Sequence, residues 1–500
     1  MEKVRHGSVG RAMRLWRWAS TSAFVFGLLS LAWFVFRTGT KPSRVVYPCQ
    51  RVAAANGAAW LATVLLPVLS ITGFVGKNRS WRRKLLTVAV VLLTAVGAAW
   101  IADGPGLLSK AAAPNRIDLV LSERRATSSP ASDLFVVDGT HGDGIAELIA
   151  LMAEQGTRFY RSSETGHASG PTGLIAADDV VLIKINAQWD QRGGTNTDLL
   201  RSLMQAIVDH PDGFTGEIIV ADNGQHQYGA RGNGGSMDWG WNNAEERSQS
   251  VQDVVDSFAA EHRVSTYLWD TITGEHVTEF DQGDTADGYV LSEASSPTTG
   301  ALAAYPKFRS EHGTFVSFKR GIWDPESETY DSARLRLINL PVLKPHMIFG
   351  VTGCIKHYMG VTSDVLTRSA GARAHDSVGT GGMGTEIAET RFPTLNILDA
   401  IWVSLAPGVG PQVRYSDATR TDVIAASTDP VALDYWAAKH ILAQGARAKG
   451  YSRVESLDPD SGRSFSRWLR RSMDEIVAAG HRATVDETRM NVYVRQMTTP

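Results

Sequence analysis

Three runs without a charged side chain, residues 19–36, 57–76 and 85–102, fall within the first 102 positions of a 500-residue chain. Each is long enough, as a helix, to cross a hydrocarbon core of about 30 Å. One such run fits the buried helix of a soluble core; three in succession fit a bilayer. Residues 1–103 are therefore read as a membrane anchor with three transmembrane helices. Residues 1–110 hold 15 Lys/Arg against 2 Asp/Glu, while the remaining 390 hold 35 against 50. Lys3, Arg5, Arg11, Arg14 and Arg17 precede the first run, and Lys77, Arg79, Arg82, Arg83 and Lys84 separate the second from the third. Placing both sets on the cytoplasmic side puts the amino terminus inside and the large body outside. The segment "RTGTKPSRVVYPCQ" after the first run has no small-x-small cleavage site, so that run reads as an anchor rather than a signal peptide. The expected location is the cell membrane, multi-pass, with an extracytoplasmic body.

Residues 104–132, rich in Ala, Ser and Pro, read as a linker. From Asp133 the pattern changes to short apolar strands alternating with amphipathic helices. "DLFVVDG" precedes "GIAELIALMAEQG", "DDVVLIKIN" precedes "TNTDLLRSLMQAIVDH", and "TDVIAASTDP" leads into "VALDYWAAKHILAQG". Thr195 or Thr197 is the expected cap of the second helix, and Pro430 suits a first helical turn. Such alternation predicts an α/β fold, a mostly parallel sheet with helices on both faces, over residues 133–500. Between about residues 224 and 333 regular strands are hard to find, and the stretch reads as an irregular insertion.

Polar residues close nearly every strand candidate. Asp138, His141 and Asp143 follow "LFVV"; Lys184 and Asn186 follow "VVLI"; Asp222 and Asn223 follow "EIIVA". Lys344 and His346 follow "LINLPVL", and Asp429 follows "DVIAAS". In a parallel sheet these groups share the rim where open α/β sheets bind ligands. Lysines beside apolar runs are awkward unless they meet an anion, so Lys184, Lys344 and Lys356 are candidates for holding a carboxylate or phosphate. His141, Asp143, His346, His357 and His375 alternatively offer nitrogen and oxygen ligands to a divalent metal, with His141, Asp143 and His346 the foremost set.

Other chemistries are excluded or weak. Two cysteines, Cys49 and Cys354, are too few for an all-cysteine iron–sulfur cluster, so none is expected. Both lie on the same side of the membrane in this topology, which makes a disulfide conceivable. Cys354 with His357 three residues on has the spacing of a thiolate pair, but its apolar, glycine-flanked setting reads as packing. "GTGGMG" at 379–384 follows no strand and precedes Pro393, so it reads as a loop rather than a dinucleotide turn. There is no phosphate-binding P-loop, and nothing basic in the body suggests nucleic acid.

Taken in order, "VVLIKIN", "GEIIVADN", "INLPVLKPHMIFGVTGCIKHYMGV", "LNILDAIWV" and "DPVALDYWAAK" resemble the bacterial and archaeal family called domain of unknown function 362, over about residues 175–440. The family's elements fall here on Lys184 and Asn186, on Lys344 and His346, on Thr352, Gly353, Lys356 and Gly360, and on Asp399, Asp429 and Asp434. With its place at a strand end, the resemblance implies that the 340–361 stretch forms one wall of a binding site. Many relatives carry ferredoxin-like segments, whose cysteines this chain lacks, and the apolar front looks like that of a membrane-bound branch. The expectation is an enzyme that binds a small anionic or metal-bound substrate. Lys344, His346 and Lys356 would be catalytic; Lys184, Asn186, Asp222, Asn223, Thr352 and Asp429 would bind ligand. The alternative is a non-catalytic extracytoplasmic module that captures a ligand or an envelope protein.

Overall fold

The computed structural model describes residues 116–226 and 234–497. The three expected spans and Cys49 lie outside the described residues. Among those described, no helix is long and apolar enough to cross a membrane. Residues 113–500 form one compact unit.

Eight strands make the central sheet: β1 (Ser132–Asp138), β2 (Val180–Lys184), β3 (Glu217–Asp222), β4 (Val264–Leu268), β5 (Leu335–Asn339), β6 (Leu395–Val403), β7 (Thr419–Ser427) and β8 (Met490–Gln496). Across the sheet the order is β8-β1-β7-β6-β5-β2-β3-β4. All run parallel except β7, which is antiparallel to both neighbours, β1 and β6. The sheet is thus largely parallel, as the alternating pattern predicts, with one reversed strand.

Side chains alternate between faces along each strand. Phe135 and Val137 of β1 pack with helices α1 (Ile145–Glu154), α2 (Thr197–Val208) and α3 (Val251–Asp256). Leu134 and Val136 face the other layer. There lie α4 (Asp364–Ser369), α5 (Gly382–Glu389), α6 (Pro430–Ala437) and α7 (Ser464–Ala478), beside a second sheet. Helices therefore cover both faces.

The second sheet has five antiparallel strands, Gly288–Leu291, Ala304–Arg309, Phe315–Ser317, Gly321–Asp324 and Thr329–Asp331. It occupies the stretch read as an irregular insertion, which also supplies β4 to the main sheet. Its strands are three to six residues long, too short to show a clear two-residue period. The described end of the linker is also structured: Ile117 N–H donates to Arg420 O at 3.0 Å and Arg124 N–H to Val492 O at 2.9 Å.

Local chemistry explains several boundaries. Asn196, rather than either threonine, caps α2, its side chain accepting from the amides of Asp198 and Leu199. Thr195 is occupied elsewhere, accepting from Asn186 N–H at 2.7 Å. The "GTGGMG" stretch is not a loop: α5 begins at Gly382, and a side chain at Gly384 would meet the Ser472 backbone of α7 at 2.4 Å. Glycine there lets two helices touch, which outweighs its poor helix propensity.

Candidate functional site

β5 does not continue to Lys344. It ends at Asn339, and the chain enters a small hairpin, Lys344–His346 paired with Gly350–Thr352. Lys344 and Thr352 are direct cross-strand partners, so their side chains share a face. One step on, Lys356 opens a 3₁₀ turn, Lys356–Gly360. Lys184 ends β2 on the face shared by Val180 and Leu182, level with Asn339 of β5 and Ala221 of β3. Asp222 ends β3.

These elements enclose a cavity of about 50 Å³ lined by Lys184, Lys344, Lys356, Asp222, Thr352 and His375. Asn186 and Asn223 line it too. Lys184 and Asp222 form a buried ion pair, Nζ to Oδ1 at 2.7 Å. Burial pushes the lysine down and the aspartate up, and each is pulled back by the other's charge. Asp222 Oδ2 also accepts from Ala187 N–H at 2.7 Å, and Lys184 donates to Ile185 O at 3.1 Å. Lys344 Nζ donates to Gly193 O at 2.5 Å. Burial, reinforced by the neighbouring Lys356 charge, brings its amine down to about 7.

Lys356 is different. Its residue is buried, and among the described residues no hydrogen-bond acceptor or carboxylate contacts its Nζ, which lies 5.3 Å from the centre of the Phe349 ring. Burial and Lys184 bring it down to about 8. Thr352 Oγ1 is buried and has no hydrogen-bond partner among the described residues. Among the described residues the wall therefore carries three lysine amines, one contacting carboxylate and an unused hydroxyl. Asp399, on β6, acts on Lys344 as a second, more distant negative charge, its own carboxyl raised to about 6 by burial.

Gly360 permits this closeness. A methyl group there would stand 2.1 Å from Asp222 Oδ1 and 2.3 Å from Lys184 Nζ. Gly360→Ala is expected to destabilise the fold by about 1–3 kcal/mol through overpacking. Thermal unfolding beside the parent protein reads this directly, and an unchanged midpoint contradicts the packing described.

The histidines divide into struts and one cavity group. His357 is buried, with Nε2 2.8 Å from Ile185 O and Nδ1 2.6 Å from the Asn339 side-chain amide. Burial and the nearby lysines push its pKa well down, and it ties β2 to β5. His346, expected to move protons, closes its own hairpin: Nδ1 accepts from the amides of Ile348 and Phe349 at 3.1 and 3.2 Å. It is not among the cavity-lining residues. His375 is, and its Nδ1 stands 3.1 Å from Asp364 Oδ1. Burial lowers its pKa against the pull of that carboxylate. Linear spacing carried no sign of the Asp364–His375 pairing, because the ring returns to the cavity through a bend between two short helices.

Three sequence candidates lie elsewhere. Asp429 follows the reversed strand β7, so it sits at the opposite rim. There its Oδ1 caps α6, accepting from Val431 and Ala432 at 2.9 Å each, and Oδ2 accepts from Ser132 Oγ at 2.6 Å. His141 and Asp143 follow β1, which β7 and β6 separate from β5, an interval of about 14 Å at usual strand spacing. Asp143 accepts from His141 N–H at 3.1 Å in a local turn, and His141 Nδ1 meets Arg420. These two do not converge on His346, and among the described residues no three His, Cys, Asp or Glu side chains are placed to hold a metal. Asn223 lines the cavity, but its side-chain amide donates to Thr273 Oγ1, Tyr289 Oη and Thr362 O, which braces the β3 exit. Cys354 is buried and free, its thiol raised by burial and Asp434, the opposite of a reactive thiolate.

An α/β domain with a lysine-lined cavity at the carboxyl rim of its sheet is the class that fold and site define. Comparison with known families agrees with the resemblance in the sequence: the family described as "Domain of unknown function (DUF362)" matches residues 332–439. The matched segment carries the hairpin, Lys344, Lys356, His375 and α6, and over that stretch the chain is similar to the family. No curated protein matches the chain.

Proposed function

We propose that the cavity binds a small organic anion and that the protein is an enzyme acting on it, the body held at the outer face of the cell membrane by the three amino-terminal spans. One observation carries this reading: Lys356, buried in the cavity wall, has a cationic neighbour and no anionic partner among the described residues. A buried charge is costly unless paired, and a bound carboxylate or phosphate would supply the missing partner. Lys344 and Lys184 add attraction, and Thr352 Oγ1 offers a donor. The Asp364–His375 pair favours an enzyme over a passive capture module, since a carboxylate-oriented neutral imidazole at a cavity is suited to moving a proton.

Titrating acetate, pyruvate or inorganic phosphate into the full chain in detergent tests this by calorimetry. Lys356→Met is expected to weaken binding by about 10- to 100-fold, the worth of one charge-assisted hydrogen bond of about 1.5–3 kcal/mol. Equal affinity in the parent and the variant rejects the assignment of Lys356. Absence of binding by any of the three anions rejects the site.

The pH dependence has a definite sign. Lys356 faces Lys184, and it acts in turn on Lys344, His346 and His375. With its value down to about 8, the proton is lost from the ligand-free fold well before it leaves the unfolded chain. Ligand-free stability therefore rises with pH from about 8 toward the ordinary lysine value of about 10.4. Anion affinity moves the other way and falls as pH rises through 8 and above.

A further inference from the structure

We propose that Lys356 is a covalent nucleophile, condensing with the carbonyl carbon of a small 2-oxo acid whose carboxylate is held by Lys344 and Lys184. This rests on the reading of the cavity as an anion site and adds the substrate class and the reacting atom.

The three lysines are not equivalent. Lys184 is tied to Asp222 and Lys344 to Gly193 O, so both amines are held in place by acceptors. Lys356 makes no comparable bond among the described residues, and its Nζ lies beside the Phe349 ring. An amine with no acceptor holding its hydrogens, placed beside other cations in a desolvated cavity, is the arrangement that activates lysine toward carbonyl carbon. Its value of about 8 raises the neutral fraction at pH 7 about 200-fold over an ordinary lysine. The cavity of about 50 Å³ holds about three to five waters on a scale of roughly 10–15 Å³ each. Glyoxylate and pyruvate are near that size.

The step balances without a redox partner. The Nζ lone pair attacks the carbonyl carbon, an N–C bond forms, the C=O π bond opens, and a proton passes from nitrogen to oxygen. The C–O bond then breaks, the oxygen leaving as water with the second amine hydrogen, and an imine remains. His375, held by Asp364 at the cavity wall, is the group placed to relay the proton.

The test uses the full chain in detergent, incubated with pyruvate or glyoxylate and treated with sodium borohydride, then analysed by intact mass and peptide mapping. One reduced adduct on the peptide bearing Lys356 is expected, absent without borohydride. Lys356→Arg keeps the charge, so it is expected to retain the thermal shift caused by pyruvate while losing the adduct. A pyruvate thermal shift without an adduct, or with the adduct on another lysine, overturns the nucleophile and leaves the anion site standing. No thermal shift from pyruvate, acetate or phosphate overturns both.

Discussion

Asp222→Ala is expected to destabilise the folded body by about 3–5 kcal/mol, because it leaves the Lys184 charge buried with no carboxylate in contact. Lys184 and Asp222 are almost wholly removed from solvent, each at 2 % side-chain exposure, and 2.7 Å apart. The variant also strips the Ala187 amide of its 2.7 Å acceptor. Urea unfolding of the full chain in detergent, followed by tryptophan fluorescence, gives the difference. Lys184→Met removes the orphaned charge, so the double variant is expected to be more stable than Asp222→Ala alone. A single variant within about 0.5 kcal/mol of the parent, the range of ordinary surface changes, rejects the ion pair as a structural element. The pair also fixes the Lys184 charge that acts on Lys356.

Asp434→Ala is expected to cost about 2–5 kcal/mol and to weaken anion binding at the same time. Asp434 projects from α6 and accepts from the amides of Cys354 at 2.5 Å and Ile355 at 3.0 Å. Truncation leaves two buried N–H groups unpaired, at about 1–3 kcal/mol each. Gly353 completes the fit, since a methyl group there would lie 2.2 Å from Asp434 Oδ1. The clamp immediately precedes Lys356, so its loss releases the segment that presents the ammonium. Burial raises the Asp434 carboxyl to about 7, so its contribution is largest at low pH and declines as pH rises from about 4 toward 7. Urea unfolding at pH 5 and pH 8, with pyruvate calorimetry on the same variant, measures both effects. Unchanged binding in a destabilised variant would show that the clamp serves the fold alone.

Both aspartates of "DPVALD" were legible as a pattern, yet their roles were not. Asp429 ahead of Pro430 is a local helix start, and the structure shows it capping α6. Its distance from the cavity follows from the reversal of β7, a property of strand pairing that no short window contains. Asp434 depends on which loop the helix packs beneath. The lysines were readable for the opposite reason: a long cation beside an apolar run is anomalous wherever it occurs, so Lys184, Lys344 and Lys356 signalled themselves. His346 stood in the same stretch, but a three-residue hairpin turned it onto its own backbone.

Sequence by itself determined the elements with strong local signals: short continuous apolar strands, amphipathic α1 and α2, the Asp429–Pro430 helix start, and three lysines needing charge compensation. Tertiary structure alone decided the direction of β7, the antiparallel sheet within residues 288–331, the return of His375 to the cavity and the separation of His141 and Asp143 from His346. The physical reason is range. Periodicity and capping are set by neighbours three or four residues away, whereas strand order and cavity walls are set by burial between segments more than a hundred residues apart, such as Lys184 and Lys344.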